Sequence, residues 1–429
     1  MKKGIILLLA ALLTGSAAFA QETPAKFKLY GFIRNYMTAD TRAVNAGTED
    51  LYYYMPKGHD YKNATTADSK FDANEGFNWR FVSLTTRLGL DVSGYKFGTM
   101  GVSGKVEADF YNLSGSVPIL RLRQAFMKLA WDESPVSLTL GQTWHPMAAD
   151  MPHMNNLETG APFNPFNRSP QVTLDYKAGD FTFTASLLYL NHYLPTGPAG
   201  KTKDYYKYGL PELYAGFTYK SGKFTGKLGL DMVNMRPYRT VKATWVNSPD
   251  AVSKVKGMLT TFSPFVFLQY TDGMFQLRAK SILAQAGEHM NLLSGYGISN
   301  FDWTKGVVIE YTPMQDWASF VSFSYGKKVQ AMCMLGYMKQ LGTTKDLFTG
   351  YVPDEGNLWM NTAADVHIQQ AFRATPTVAW NIGKFTLSLE YNLTAAEFGS
   401  GTRDARGMYT GEKEWILNHR FICMTKFNF

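Results

Sequence analysis

The chain has 429 residues, a formal net charge of +8, an aromatic content of 15% and only two cysteines. Its basic residues are spread out and form no Lys/Arg run, which argues against nucleic acid as a partner and favours attraction of anions. Cys333 and Cys423 lie in separate strand-like segments without metal-type spacing, so two isolated apolar thiols are favoured over a disulfide. No ligand cluster is apparent in the sequence, so we expect no metal and no cofactor.

The first twenty residues have the features of a secretory signal. Two lysines precede an apolar run over 5–13, and Ala18-Phe19-Ala20 provides a small-residue cleavage site before Gln21. We predict removal of residues 1–20, which takes away two lysines and lowers the formal charge from +8 to +6. Residues 21–429 contain no linker and are predicted to form a single domain. They also contain no run near the roughly 18 apolar residues of a membrane helix, so a lipid-embedded chain has to be a β-barrel.

Polar and apolar residues alternate in the first mature segments, which is the period of a β-strand. The alternation covers Lys26–Asn35, Trp79–Val92 and Gly101–Tyr111. A polar segment over 39–78 separates the first two and predicts a long surface loop.

The stretch Leu120–Trp144 predicts a hairpin with one apolar and one polar face. Arg121 and Arg123 alternate with leucines, and small hydroxyl residues alternate with apolar ones after the tight turn over 132–135. A soluble sheet would bury the apolar face in a core. A transmembrane barrel would turn it to lipid and let the arginines line a lumen.

A proline-rich segment over 145–169 interrupts the strand pattern. It follows the arginine hairpin directly, and we predict that it folds into the barrel as a constriction loop, with His145 and Arg168 as solute contacts. The alternative is an ordinary extracellular loop, or one that packs at a subunit interface.

The rest of the chain repeats a hairpin rhythm. Minimal turns are predicted at 221–223, 271–273, 313–316 and 381–383. Long polar segments are predicted near 193–210, 236–258, 287–302, 332–363 and 397–413. In total we count sixteen strands joined by seven short turns and eight longer loops. This pattern is typical of an all-β transmembrane antiparallel barrel with short periplasmic turns and long extracellular loops.

The final segment, Trp415–Phe429, is an amphipathic strand that ends in phenylalanine. Aromatic and apolar residues occupy its odd positions, whereas Asn418, Arg420 and Lys426 occupy even ones. Such an ending resembles the signal that outer-membrane barrels present to their insertion machinery, which makes Phe429 the expected contact. We therefore expect localisation in the outer membrane of a Gram-negative bacterium, surrounded by lipid and lipopolysaccharide.

Orienting each apolar face toward lipid places an excess of cations in the lumen. Lysine or arginine facing hydrocarbon costs roughly 2–4 kcal/mol at the midplane, whereas in a water-filled pore it favours anions. The alternative for any single residue is that it pairs with a lumen acid and braces the wall. The predicted pore-lining residues are Arg34, Arg87, Lys105, Arg121, Arg123, Arg168, Arg278, Lys280, Arg373 and Arg420.

Several motifs resemble those of the DcaP-like outer-membrane porins: YGFIRNYM (30–37), TTRLGLDV (85–92), GKVEADFY (104–111), LRLRQAF (120–126), LTLGQTW (138–144) and SPQVTLDY (169–176). The resemblance covers residues 26–176. It implies a sixteen-stranded trimeric barrel that passes small anionic solutes, including dicarboxylates. By motif, its arginine-lined constriction maps onto Arg121 and Arg123, with Arg34 and Arg87 on neighbouring walls. Family members can carry an N-terminal coiled-coil extension. Here only 21–25 precede the first strand, so a homotrimer would rest on barrel-wall contacts.

The favoured function is a non-enzymatic porin for passive diffusion of small hydrophilic solutes, with a preference for anions. One rival is a surface-binding or structural barrel with a closed lumen, since its long loops are rich in Tyr and Asn. A barrel hydrolase is the second rival, but it has no HExxH or nucleophile-elbow motif to support it. A soluble periplasmic sandwich is disfavoured by the sixteen lipid-compatible strands.

Overall fold

A computed structural model describes residues 25–63, 70–112, 117–190, 208–237, 240–242, 252–254, 257–302, 307–350, 358–360 and 366–429. The predicted signal segment over 1–20 lies outside these residues, as does much of the predicted loop near 193–210.

Sixteen antiparallel strands within the described residues close into a barrel. Each strand pairs with its neighbours in sequence, and the last pairs with the first. Two strands, the second and the fourteenth, are interrupted and run in two pieces. The strands are β1 (Lys26–Arg42), β2 (Glu75–Val82 and Arg87–Phe97), β3 (Met100–Tyr111), β4 (Ile119–Trp131), β5 (Val136–Trp144), β6 (Arg168–Ala178), β7 (Phe181–Leu188), β8 (Leu210–Ser221), β9 (Phe224–Met235), β10 (Leu259–Asp272), β11 (Phe275–Gln285), β12 (Val307–Gly326), β13 (Val329–Thr343), β14 (Ile368–Ala374 and Thr377–Ile382), β15 (Phe385–Gly399) and β16 (Lys413–Asn428).

Short turns join the strands at one end of the barrel and longer segments join them at the other. Three of the long segments matter below: L1 (43–74), L3 (145–167) and L6 (286–306). Among the described residues, no helix is long and apolar enough to cross a bilayer. The elements outside the barrel wall are the strands Val44–Gly47, Tyr52–Pro56, Tyr61–Asn63, Lys70–Asp72, Thr240–Lys242, Val252–Lys254, Gly295–Asp302 and Leu358–Met360, and the 3₁₀ helix Gly287–Met290.

Glycine in the left-handed region makes the short turns tight. Gly222, Gly273 and Gly383 have φ values of 55°, 58° and 60°, a conformation that glycine adopts without a steric penalty. The predicted turns at 221–223, 271–273 and 381–383 are therefore confirmed, as is the turn within the hairpin Leu120–Trp144.

The two faces of each strand have opposite chemistry. In β16, Leu417 and Phe421 are exposed on the outside, whereas Asn418 and Arg420 are buried on the inside. The same alternation covers the outer wall with apolar and aromatic side chains, a surface that suits lipid and not water. Arg121 and Arg123 lie on the inner face of β4, and Leu120 and Leu122 lie on its outer face, as predicted.

The seam between β1 and β16 closes the barrel. Residues Phe32 to Asp40 pair with Asn428 to Arg420. Inside the seam, Arg420 donates to both carboxylate oxygens of Asp40 at 2.8 Å, and both side chains are fully buried. Below it, the Phe429 amide donates to the Gly31 carbonyl at 3.1 Å.

Part of the lumen is filled by an apolar core that the loops build against the wall. L1, L3 and L6 each contribute fully buried residues, and the inner faces of β7, β8 and β10 to β15 complete the core. We call this cluster the packed core. It consists of Tyr54, Met55, Met147, Ala161, Phe163, Phe166, Leu188, Tyr214, Phe265, Phe267, Ile282, Ala284, Met290, Leu292, Leu293, Ala318, Phe320, Met334, Met338, Ile368, Ala371 and Ala396.

Three predicted boundaries are wrong. The predicted turn over 313–316 lies inside β12, and the chain turns at Lys327 and Lys328 instead. The predicted loop over 332–363 begins only after Thr343, because β13 continues to that residue. The predicted loop over 39–78 is shorter, since β1 extends to Arg42 and β2 begins at Glu75. The strand count of sixteen is nevertheless confirmed.

Candidate functional site

Five of the predicted cations lie together on the inner faces of β1 to β4 and form what we call the charged wall. They are Arg34, Arg87, Lys105, Arg121 and Arg123. Strand register places acids among them, because Arg87 pairs with Asp109 and Lys105 pairs with Asp91 across β2 and β3.

Two carboxylates of β3 hold the arginines of β4. Arg123 donates from Nε to Glu107 Oε1 at 2.9 Å and from Nη1 to Asp109 Oδ2 at 2.7 Å. Arg121 donates from Nε to Asp109 Oδ1 at 3.0 Å. The Arg123 side chain is almost fully buried, whereas that of Arg121 keeps 18% of its surface exposed. Arg123 therefore braces the wall, and Arg121 presents charge to the lumen.

The remaining cations of the wall are more loosely held. Arg87 Nη1 lies 3.6 Å from Glu107 Oε1, and its side chain is 20% exposed. Lys105 lies 2.9 Å from Asp91 and donates to the Tyr30 hydroxyl at 3.0 Å. The set of five cations faces three carboxylates, Asp91, Glu107 and Asp109, which leaves it two positive charges in excess.

A strained break in β2 positions Arg34. Between the two pieces of the strand, Thr85 adopts a φ of 69°, a region that a β-branched residue rarely enters and that costs about 1–3 kcal/mol. The buried Thr85 hydroxyl accepts hydrogen bonds from Arg34 Nε at 3.0 Å and Nη2 at 2.6 Å. The guanidinium also lies over the rings of Phe32 and Tyr36. A neutral hydroxyl and two rings orient this arginine without cancelling its charge.

Three other predicted cations hold L3 inside the barrel. Arg278 donates to the Met151 carbonyl at 2.7 Å, and Lys280 donates to the Met147 carbonyl at 2.7 Å. Arg373 donates to Glu158 at 2.9 Å, to the Ala161 carbonyl at 3.0 Å and to the Tyr54 carbonyl at 2.6 Å. Lys280 and Arg373 are buried. All three residues brace the loops. Burial keeps Lys280 and Arg373 from open lumen, whereas Arg278 is only partly buried.

The last three predicted residues are fully buried. Arg420 binds Asp40 at the seam and the Asp50 carbonyl of L1. Arg168 lies with its guanidinium 4.6 Å from the Trp144 ring centre, and His145 contacts the Glu212 carboxylate. Loop L3 does lie inside the barrel. However, full burial of His145 and Arg168 corrects their predicted role, because solute in the lumen cannot reach them.

A cavity of about 190 Å³ adjoins Arg121 at the boundary between the charged wall and the loops. Its lining is largely aromatic with one cation, and L1, L3, L6, β3 and β4 contribute to it. The lining residues include Tyr52, Tyr54, Tyr111, Arg121, Leu157 and Phe166. The Arg121 guanidinium lies 4.2 Å from the Tyr111 ring centre, so the cation is held against the cavity wall.

Sequence reasoning missed the inward packing of L1. Leu51, Tyr53, Tyr54 and Met55 are at most 1% exposed, within a segment interpreted as a surface loop. The available signal was the run Leu51-Tyr-Tyr-Tyr-Met55, five apolar or aromatic residues in an otherwise polar segment. A loop in water gains nothing from such a run, whereas a loop folded into a core buries it.

No family model and no curated protein matches the chain. Solved structures do. The outer-membrane channel DcaP of Acinetobacter baumannii has a TM-score of 0.64 at 17% identity, over 96% of this chain and 100% of that one. The anion-selective porin of Comamonas acidovorans has a TM-score of 0.53 at 10% identity, over 95% of this chain and 100% of that one. The trimer form of OmpT of Vibrio cholerae has a TM-score of 0.50 at 13% identity, over 94% of this chain and 99% of that one.

At these identities the likeness concerns the fold. It agrees with the motif resemblance to the DcaP-like porins and with the expected outer-membrane localisation, for which the apolar exterior is suited. The chain thus has the closed sixteen-stranded barrel of the outer-membrane porins.

Proposed function

We propose that the protein is a DcaP-like outer-membrane porin that passes small hydrophilic solutes by passive diffusion and prefers anions, dicarboxylates among them. The charged wall carries this proposal. Its five cations exceed its carboxylates by two, and Arg34, Arg87 and Arg121 keep part of their charge open to the lumen. Fixed positive charge on one wall raises the local concentration of anions.

The arrangement of the cations suits solutes with more than one carboxylate. Guanidinium groups bind carboxylates in a planar, two-bond geometry, and separate arginines can engage separate carboxylates. Arg121 also borders the cavity lined by tyrosines, where an organic solute would find apolar contact beside the charge. The anion selectivity of the Comamonas acidovorans porin is consistent with this proposal.

The test is the reversal potential of the refolded protein in a planar bilayer under a salt gradient. We expect discrete conductance steps and a reversal potential on the anion side. Replacing Arg34, Arg87 and Arg121 together by glutamine should move the reversal potential from the anion side to or past zero, because it changes the net charge of the charged wall from +2 to −1.

Arg406→Gln is the matched control. This arginine lies exposed in the β15–β16 loop, where it donates to the Thr344 carbonyl, so its removal should leave selectivity unchanged. A conducting barrel whose selectivity survives the triple substitution would overturn the anion filter while leaving the porin intact.

The packed core favours a second candidate, a closed barrel that binds partners at its surface. Bulky residues such as Phe163, Phe166 and Tyr54 fill part of the interior. Absence of conductance from a correctly folded barrel would support this candidate and reject the porin.

Further partners belong to the same proposal. We expect a homotrimer held by barrel-wall contacts, in keeping with the trimeric OmpT structure, and an exterior in contact with lipid and lipopolysaccharide. We expect the insertion machinery to recognise Phe429, which is 41% exposed at the base of the seam. Deleting Phe429 should reduce insertion in cells without changing the conductance of refolded protein.

A further inference from the structure

Two histidines and two carboxylates lie close together inside the barrel, away from the charged wall. His145 follows β5 at the start of L3, Glu212 lies in β8, Asp231 in β9, and His289 in the 3₁₀ helix of L6. One ligand atom from each of His145, Glu212 and Asp231 lies within 4.8 Å of the others. His289 Nε2 lies 3.4 Å from Glu212 Oε1 and 4.0 Å from Asp231 Oδ2.

The cluster is sealed from water and short of compensating donors. None of the four residues is more than 2% exposed. Three carboxylate oxygens have no hydrogen-bond partner among the described residues: both oxygens of Asp231, and Oε2 of Glu212. Glu212 accepts one hydrogen bond through Oε1, from His145, whose Nε2 also lies 3.6 Å from Asp231 Oδ1. Two adjacent buried carboxylates with so few donors are costly, so they call for a further cation between them.

The hydrogen bonds of the two imidazoles differ, and this assigns them different roles. His289 Nδ1 lies 3.2 Å from the Ala286 carbonyl, which can only accept, so Nδ1 carries the proton and Nε2 directs a lone pair at the carboxylates. A backbone carbonyl bound to the other ring nitrogen is the usual support of a metal-binding histidine.

His145 has the opposite arrangement. Its Nδ1 accepts the Met147 amide proton at 3.1 Å, which places the ring proton on Nε2, and Nε2 donates to Glu212 Oε1 at 3.0 Å. His145 therefore orients the Glu212 carboxylate as a positioning residue.

We propose that His289, Glu212 and Asp231 bind a divalent transition metal of the Zn²⁺ class, with His145 holding Glu212 in place. Ligand atoms about 2.1 Å from a tetrahedral zinc lie about 3.4 Å apart. The separation of His289 Nε2 from Glu212 Oε1 is 3.4 Å, and its 4.0 Å separation from Asp231 Oδ2 would have to shorten on binding. Mixed imidazole and carboxylate donors suit such metals, and two carboxylates neutralise a divalent charge.

The metal would join L6 to the wall strands β8 and β9, and through His145 it would also hold the start of L3. The neighbouring hydrogen bonds already link these loops, since the Phe166 amide donates to the Met290 carbonyl at 2.9 Å and Asn167 donates to the His289 carbonyl at 2.7 Å. The metal would therefore have a structural role beside the packed core. The sequence expectation of no metal arose because the four residues lie far apart in the chain.

The test uses the full chain, refolded in detergent with a chelator and then given Zn²⁺. After desalting, the folded wild-type protein should retain one zinc per chain by elemental analysis, and bound Co²⁺ should show visible d–d bands. Asp231→Asn and His289→Gln should retain little zinc. His145→Gln should weaken binding roughly 10- to 100-fold, as loss of a supporting residue does.

His153→Gln is the matched control, because His153 lies in the same loop but outside the cluster. Zinc should raise the unfolding temperature of wild type and of this control, but not that of Asp231→Asn, which keeps its shape and loses only charge. A folded wild type that retains no zinc, or an Asp231→Asn variant that retains as much as wild type, would overturn the proposal.

Discussion

The two sides of the lumen use the same residue types for different ends. On the charged wall, arginines pair with a few carboxylates and remain partly exposed. Around the packed core, Arg278 and Lys280 donate to loop carbonyls, and Arg373 donates to loop carbonyls and to the Glu158 carboxylate. Arg373 is buried and paired with an acid, so it adds little to the field in the lumen, whereas the partly exposed cations of the charged wall outnumber the acids that they share. Exposure and partners, and not residue type, therefore decide which cations can select a solute.

The largest expected effect comes from Arg373 on the packed side. Arg373→Met leaves Glu158 buried without its cation and frees the Tyr54 and Ala161 carbonyls. Breaking one partner of a buried pair should lower the free energy of unfolding by roughly 3–5 kcal/mol. Urea titration of the folded barrel in micelles measures this value.

Arg87→Met on the charged wall is the matched comparison. Arg87 is partly exposed and only weakly paired, so its removal should cost no more than about 1 kcal/mol. If both variants lost the same free energy of unfolding, the cations of the packed core and of the charged wall would not differ in how much they stabilise the barrel.

A glycine in β13 makes room for the packed core, and filling that space gives the next largest effect. A Cβ on Gly336 would lie 2.5 Å from the Phe163 ring, so Gly336→Ala should destabilise the barrel by roughly 1–3 kcal/mol and push L3 away from the wall. Single-channel conductance should rise as L3 shifts.

Combining Gly336→Ala with Phe163→Leu tests this contact directly. The double variant should lose less stability than the sum of the two single variants, with a coupling of at least about 0.5 kcal/mol. Strict additivity would mean that Gly336 and L3 do not press on each other.

A smaller effect is expected from an acid of the charged wall. Glu107→Gln removes a negative charge that offsets Arg87 and Arg123, and should increase anion preference. A unit charge about 10 Å from a solute in water contributes about 0.4 kcal/mol, or roughly a factor of two in anion occupancy. Reversal potentials measure the change. Glu288→Gln, in the buried L6 helix, should leave them as in wild type.

The smallest expected effect is the response of wild type to salt. Raising the salt from 0.1 M to 1 M shortens the screening length from about 10 Å to about 3 Å and should reduce anion selectivity. The stability that Arg373 provides should persist, because buried pairs are screened much less. Reversal potentials and urea titrations at both salt concentrations separate the two outcomes.

Strand alternation was sufficient to predict the barrel, because lipid outside and polar groups inside impose a period of two. The same rule explains where prediction failed. In β13 the inner face carries Met334 and Met338, which pack in the core, so both faces are apolar and the alternation disappears. The sequence pattern therefore predicts a loop there. The Pro-Met-Gln-Asp sequence at 313–316 has the residue types of a turn, although β12 runs through it.

The residues of the candidate site could be predicted, but not which of them face open lumen and which of them brace the loops. Periodicity placed all of Arg34, Arg278 and Arg373 on inner faces, which is correct. It could not tell which of them a loop would cover, because that depends on contacts between residues more than 100 positions apart. The His289–Glu212 contact is not predictable from the strand pattern either, because the two residues lie 77 positions apart and only the fold brings them together.

The ion pair at the seam has a consequence for the lifetime of the folded barrel. Asp40 and Arg420 belong to the first and last strands, so their hydrogen bonds form only when the two ends of the sheet meet. Once formed, the pair is sealed, and reopening the sheet must break it before water can replace its contacts. An interaction that arises after the rate-limiting step slows unfolding more than it speeds folding. The seam should therefore make the barrel long-lived by raising the barrier to opening, whatever its equilibrium stability.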